Sequence, residues 1–123
     1  MVPIVEKQKP HIAYPQAEIG VFSKQNDPYK LTDIKLNLNY LELDITYAGG
    51  CKEHDFKLIG SPEIKNGVRE VQLVHISKGD DCKALIKQKL IFSISNLAQN
   101  YEPKNQIKLK FENYATEITY SYQ

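Results

Sequence analysis

The chain has 123 residues, the size of a single domain, and Val, Ile, Leu and Phe supply 34 of them, well above the ~20% below which a chain tends to stay disordered. Sixteen basic residues against fifteen acidic ones leave a formal net charge of +1, which argues against domain-wide binding to nucleic acid. No apolar run reaches the ~18 residues of a membrane-spanning helix.

Residues 1–32 hold four of the six prolines, Pro3, Pro10, Pro15 and Pro28. Proline fixes φ and removes a backbone donor, so this stretch reads as an extended arm or tether. Glu18 to Phe22 is the one place in it for a short edge strand. No long apolar segment follows Met1, so the sequence shows no signal peptide.

From residue 33 the pattern has period two, and residues 33–123 are expected to form one β domain. Ile34, Leu36, Leu38 and Tyr40 alternate with polar residues. The phase then slips, and Leu41, Leu43, Ile45 and Tyr47 become the apolar set. One ideal strand cannot hold both sets on one face, so a β-bulge or a corner between sheets is expected near Tyr40–Leu41.

Further strands are expected at Phe56–Leu58, Val71–Ile76, Ala84–Ile94, Ile107–Phe111 and Ile118–Tyr122. The nearly continuous apolar run of Val71–Ile76 suits a central strand. Turn signals punctuate these runs at Ala48-Gly49-Gly50, Gly60-Ser61-Pro62, Asn66-Gly67, Lys78-Gly79-Asp80, Pro103-Lys104-Asn105 and Glu112-Asn113. Ser95 to Asn100 allows one helical turn, capped by Ser95. The fold expected is an antiparallel β-sandwich, immunoglobulin-like or Greek-key, with about seven strands.

The chemistry-bearing residues gather around two cysteines. Cys51 is followed by His54, and Cys82 is preceded by His75. Strand alternation puts His54 on the face of Phe56 and Leu58, and His75 on the face of Val71 and Leu73. Both histidines are thus expected to point inward at one end of the sandwich, as supporting polar core beneath loops that carry the cysteines.

Three readings of this constellation are open. A Cys51–Cys82 disulfide suits a small β domain in an oxidising compartment, and in the chain-entropy model closing its loop contributes about 3.7 kcal/mol. A zinc or copper site made of Cys51, His54, His75 and Cys82 has the right ligand types, although His-x6-Cys is not a usual finger spacing. Two unpaired thiols are the third. Asp80-Asp81, Glu53 and Asp55 read as turn and solvent-face residues. There is no Gly-x-Ser-x-Gly elbow, no calcium loop of the Asp-x-Asp-x-Asp-Gly type and no phosphate-binding glycine loop.

Two surface features carry weaker signals. Lys83, Lys87, Lys89, Lys104, Lys108 and Lys110 make the second half basic. If their two strands pair, a positive strip results; the plainer reading is a solvated face that discourages edge pairing. Tyr40, Tyr47, Tyr114, Tyr120 and Tyr122 read chiefly as sheet packing.

The string Tyr47-x-Gly49-Gly50-Cys51-x-x-His54-x-Phe56-x-Leu58, followed by Leu73-Val74-His75 and Asp80-x-Cys82, resembles a group of small, functionally uncharacterised lipoproteins of Bacteroidetes-type bacteria. The resemblance covers roughly residues 33–123. It implies export and anchoring through an N-terminal lipidated cysteine, which this chain lacks, so contact with the membrane would run only through that anchor. The function expected is therefore a non-enzymatic domain of an exported lipoprotein, without cofactor, in the periplasm or at the outer surface. It would bind a protein or glycan ligand at the cell envelope or serve a structural role there.

Overall fold

The computed structural model of the chain describes residues 14–98 and 106–122. Pro3, Pro10 and the Pro103-Lys104-Asn105 turn lie outside the described residues. Among the described residues there are eight strands: β1 (Glu18–Ile19), β2 (Lys30–Asn37), β3 (Tyr40–Gly49), β4 (Asp55–Lys65), β5 (Val68–Ile76), β6 (Ala84–Ser93), β7 (Gln106–Phe111) and β8 (Ile118–Ser121). A 3-10 turn spans Ser95–Ala98. The strands form a five-stranded sheet in the order β1-β4-β5-β7-β8 and a three-stranded sheet in the order β2-β3-β6.

The protein is thus a β-sandwich, with β5 central as its apolar run requires. Pairing is mixed, however, rather than purely antiparallel. β1 runs parallel to β4 and β5 parallel to β7. The reason is topological: after β5 the chain crosses to the other sheet as β6 and then returns, so the returning strand keeps the direction of β5. Between the sheets Leu41, Leu43, Leu58, Leu73, Ile94 and Leu109 have no measurable exposure.

The phase slip at residue 40 has a different cause from the one expected. β2 and β3 form a hairpin closed by Leu38 and Asn39, with Asn37 opposite Tyr40. A two-residue turn sets Leu36 opposite Leu41 and Ile34 opposite Leu43, so even positions on one strand share a face with odd positions on the next. Both strands stay in one sheet. The bulge that does occur lies between Leu31 and Asp33, and it lets Leu31 join Ile34 in the core.

Gly60-Ser61-Pro62 is likewise no turn. β4 runs through it, with a register irregularity between Gly60 and Ile64. The space left by the missing side chain is used. A Cβ on Gly60 would meet Leu97 Cδ2 at 2.6 Å and Arg69 Cδ at 2.9 Å. Arg69 is buried, and its guanidinium donates to the carbonyls of Leu97 and Ser61. Asn66-Gly67 does turn the chain, with φ of +54° and +77°, as a tight hairpin demands.

The positive strip does not form. Lys87 and Lys89 lie on β6 in the three-stranded sheet, whereas Lys108 and Lys110 lie on β7 in the other. Lys104 falls outside the described residues. Tyr47 and Tyr120 are core residues, while Tyr40 is 43% exposed.

Residues of the N-terminal arm lie against this body. Ala17 is buried, and the segment from Ser23 to Tyr29 follows the edge of β5. β7 covers that edge only from Val68 to Val71. Beyond it, Asn26 Nδ2 and the Tyr29 hydroxyl both donate to the Leu73 carbonyl, at 2.9 Å each. The His75 N–H donates to Asn26 Oδ1 at 2.7 Å, and the Ser77 N–H to Asp27 Oδ2 at 2.7 Å. The arm thereby satisfies backbone groups that would otherwise form a bare sheet edge.

The hairpin turn generates a test. Leu38 is 80% exposed and sits at φ +57°, a region that costs a residue with a Cβ about 1 kcal/mol or more. Leu38→Gly is expected to raise stability by about 0.5–1 kcal/mol, less than the full strain because glycine also gains freedom in the unfolded chain. Urea unfolding checks this; a lower midpoint for the variant would contradict the assignment of strain to this turn.

Candidate functional site

Three chain segments build one end of the sandwich. The first runs from the end of β3 through Gly49-Gly50-Cys51 to His54. The second is the turn after β5, in which the Asp80 N–H donates to the Ser77 carbonyl at 3.2 Å and Lys78 and Gly79 take φ of +59° and +75°. The third is the arm at Asp27–Pro28. A disulfide joins Cys51 to Cys82, with their Cα atoms 5.9 Å apart.

Asp80 organises this end. Its Oδ2 accepts from the backbone N–H of Cys51 at 3.2 Å, from that of Lys52 at 3.1 Å, and from His54 Nε2 at 2.8 Å. Its Oδ1 accepts from the Cys82 N–H at 3.0 Å. One carboxylate thus holds the backbone of both bridged cysteines and one histidine. The His54 bond, followed by the three backbone donors, keeps the Asp80 carboxyl well below the usual carboxylate range. The side chains of His54 and Asp80 are almost fully buried.

The chain of hydrogen bonds continues inward. His54 Nδ1 lies 2.7 Å from His75 Nε2. His75 Nδ1 faces two carbonyl oxygens, Pro28 at 3.0 Å and Asp27 at 3.2 Å. Carbonyls only accept, so His75 Nδ1 carries a proton. Burial pulls the His75 imidazole below its ordinary value, His54 pulls in the same direction, and the two carbonyls oppose it. Asp80 is ionised and only accepts, so His54 Nε2 carries a proton. The 2.7 Å contact between the rings needs one more, held between His54 Nδ1 and His75 Nε2. Hydrogen-bond accounting thus gives the two rings three protons between them and one positive charge beside the Asp80 carboxylate.

Aromatic rings seal the site. His75 stacks on Phe56, its cross-strand partner, with centroids 4.8 Å apart and planes 6° apart. Tyr47 lies 4.6 Å from the His54 ring and 4.9 Å from that of His75, and its hydroxyl donates to Gln88 Oε1 at 2.6 Å. Contacts of this kind contribute about 0.5–1.5 kcal/mol per pair beyond area burial. Gly49 permits the close approach: a Cβ there would fall 2.9 Å from His54 Nε2 and 3.0 Å from Asp80 Oδ2. Outside the rings, a cleft of about 570 Å³ opens between Cys51–His54 and the inner side of β6 at Ile86 and Gln88.

The four residues singled out from the sequence lie at this end of the sandwich as two pairs, the cysteines and the histidines, linked through Asp80. Both sulfurs are joined to each other, and all four imidazole nitrogens are occupied by hydrogen bonds. Asp80 stands where the sequence reading had only a turn residue. Its signal was present in Asp80-x-Cys82, the spacing at which an aspartate accepts from the N–H two residues on. Gly49 and Tyr47 were visible as a turn residue and a core residue; their contact with the histidines depends on the fold.

Comparison with known proteins places the chain. Residues 15–123 match the NigD-like C-terminal beta sandwich domain, and the chain belongs to that family. Among solved structures it is similar to a NigD-like immunity protein from Bacteroides caccae, with a TM-score of 0.59 and 21% identity over 88% of this chain and 58% of that one. It is also similar to a protein of unknown function from Bacteroides vulgatus, with a TM-score of 0.57 and 20% identity over 89% of this chain and 58% of that one. At such identities the likeness shows the fold, and the chain spans less than two thirds of either protein. No curated protein matches the chain.

The buried histidine sets a pH dependence. His75 takes up a proton less readily folded than unfolded, so its contribution to stability is complete above about pH 6.5, the ordinary histidine value. It is lost as pH falls from there through the lower folded value. The charged and titratable groups facing it are His54, Asp27, Tyr29 and Tyr47. Urea midpoints are expected to fall between pH 7 and pH 5, and His75→Phe, which keeps the stack on Phe56, is expected to flatten that fall. An unchanged slope in the variant would show that His75 is not the group responsible.

Proposed function

We propose that this domain is a non-enzymatic binding or structural module of an exported lipoprotein, held at the cell envelope by a lipid anchor upstream of these residues. The observation that carries the reading is the saturation of the polar cluster. Nucleophilic or general-base catalysis requires a nitrogen or thiolate able to reach a substrate. Here each ring nitrogen is spent inside the protein and each sulfur is bridged. The cluster reads as a clamp that fixes one end of the sandwich, leaving the surface to do the work.

The disulfide supports export, because bridges of this kind persist in oxidising compartments. Cys51 is exposed, where a cytosolic reductant would reach it. The relative named as an immunity protein favours a protein ligand over a glycan, since immunity implies engagement with another agent. On this reading His54 and His75 support the binding surface without touching the ligand, and neither zinc nor copper is required.

Trapping thiols in intact cells of the bacterium that produces the protein, before lysis, tests the reading. The protein is expected in the membrane fraction, with Cys51 and Cys82 alkylated only after reduction. Recovery from the cytosol with both cysteines alkylated beforehand would overturn it.

A further inference from the structure

We propose that the open edge of β6 is the docking site, and that it takes an extended, acidic peptide segment of the partner as an added strand. The inference rests on the binding role proposed above and assigns it a place. Each sheet has two edge strands. β1 has two residues and β8 four, too few to hold a guest. β2 carries a bulge between Leu31 and Asp33, which spoils a regular edge. β6 is ten residues long and keeps unbroken register with β3 from Ser93 to Ala84.

This edge already accepts backbone at one end. The Ser93 N–H donates to the Pro15 carbonyl at 2.9 Å, and the Ala17 N–H donates to the Ser93 carbonyl at 2.8 Å, which bridges Gln16 to Ser93 in parallel. Backbone direction alternates along a strand in an antiparallel pair. The N–H and carbonyl groups of Leu85, Lys87, Lys89 and Ile91 therefore face the same way as those of Ser93. Among the described residues no strand pairs with them on that side.

The side chains of these residues specify the guest. They share the outer face of the sheet in the order apolar, basic, basic, apolar. Leu85 is 69% exposed. Lys89 is matched within the sheet by Glu42 at 3.3 Å and Asp44 at 3.7 Å. Lys87 lies opposite Thr46 and has no acidic partner among the described residues. Cross-strand pairing then favours a guest with acids opposite the two lysines and apolar residues opposite Leu85 and Ile91. That pattern reads the same in either strand direction. A second copy of this chain is disfavoured, because it would bring lysine against lysine. Addition of a strand to an exposed edge is an established mode of peptide recognition.

The probe is the synthetic peptide Thr-Ile-Thr-Glu-Thr-Glu-Thr-Leu-Thr, titrated into the intact disulfide-bonded protein. Saturable binding is expected, with slowed amide hydrogen exchange at Leu85, Lys87, Lys89 and Ile91. Lys87→Glu is expected to weaken it by about fivefold, and of the two peptides in which a single glutamate is replaced by lysine, one is expected to recover the loss on that variant. No binding, or equal affinity for both proteins, would overturn the assignment. So would binding to the full chain that appears only after residues 1–13 are removed, since the edge would then belong to the chain itself. Equal cross-linking of an envelope partner by wild type and Lys87→Glu in cells would remove β6 as the site while leaving the binding role standing.

Discussion

One carboxylate holds one end of this sandwich together. Asp80 accepts four hydrogen bonds, from the backbone of Cys51, Lys52 and Cys82 and from the ring of His54. A buried anion is costly unless its lone pairs are filled and an opposite charge is close. Here both conditions are met, because the protonated pair of imidazoles supplies the charge and the two loops supply the donors. The disulfide joins the same two loops that the carboxylate holds.

The rest of the site follows from that pair. His54 gives its Nε2 proton to the carboxylate, and its other ring nitrogen shares a proton with His75. His75 directs its Nδ1–H away from the pair, and the arm carbonyls at Asp27 and Pro28 receive it. The arm is therefore coupled to the disulfide end through two imidazoles. The same arm covers the stretch of β5 that β7 leaves open. Packing, edge protection and charge compensation meet in one small region.

Much of the fold was legible because strand alternation is a local signal. Leu41 to Tyr47 and Ile107 to Phe111 read directly as strands with one buried face. The slip at residue 40 was also visible, but its cause was not. Leu38 and Asn39 carry no glycine to mark a tight turn, so the hairpin looked like a kink. Gly60-Ser61-Pro62 failed the other way: the glycine is there to make room for Leu97 and Arg69, contacts between residues far apart in the chain. The parallel pairing of β5 with β7 depends on which sheet β6 joins, and nothing local encodes that. In the site, strand parity placed His54 and His75, but the role of Asp80 needed both loops in three dimensions.

The most direct measurement is the protonation state of the two imidazoles, read from their nitrogen-15 chemical shifts at neutral pH in wild type and in Asp80→Asn. The account requires three protonated nitrogens across the two rings, with His54 Nε2 and His75 Nδ1 both among them. It also requires that the pair lose one proton when the carboxylate is replaced. Two bare nitrogens across the pair in the wild-type protein, or a pair unaffected by Asp80→Asn, would contradict it.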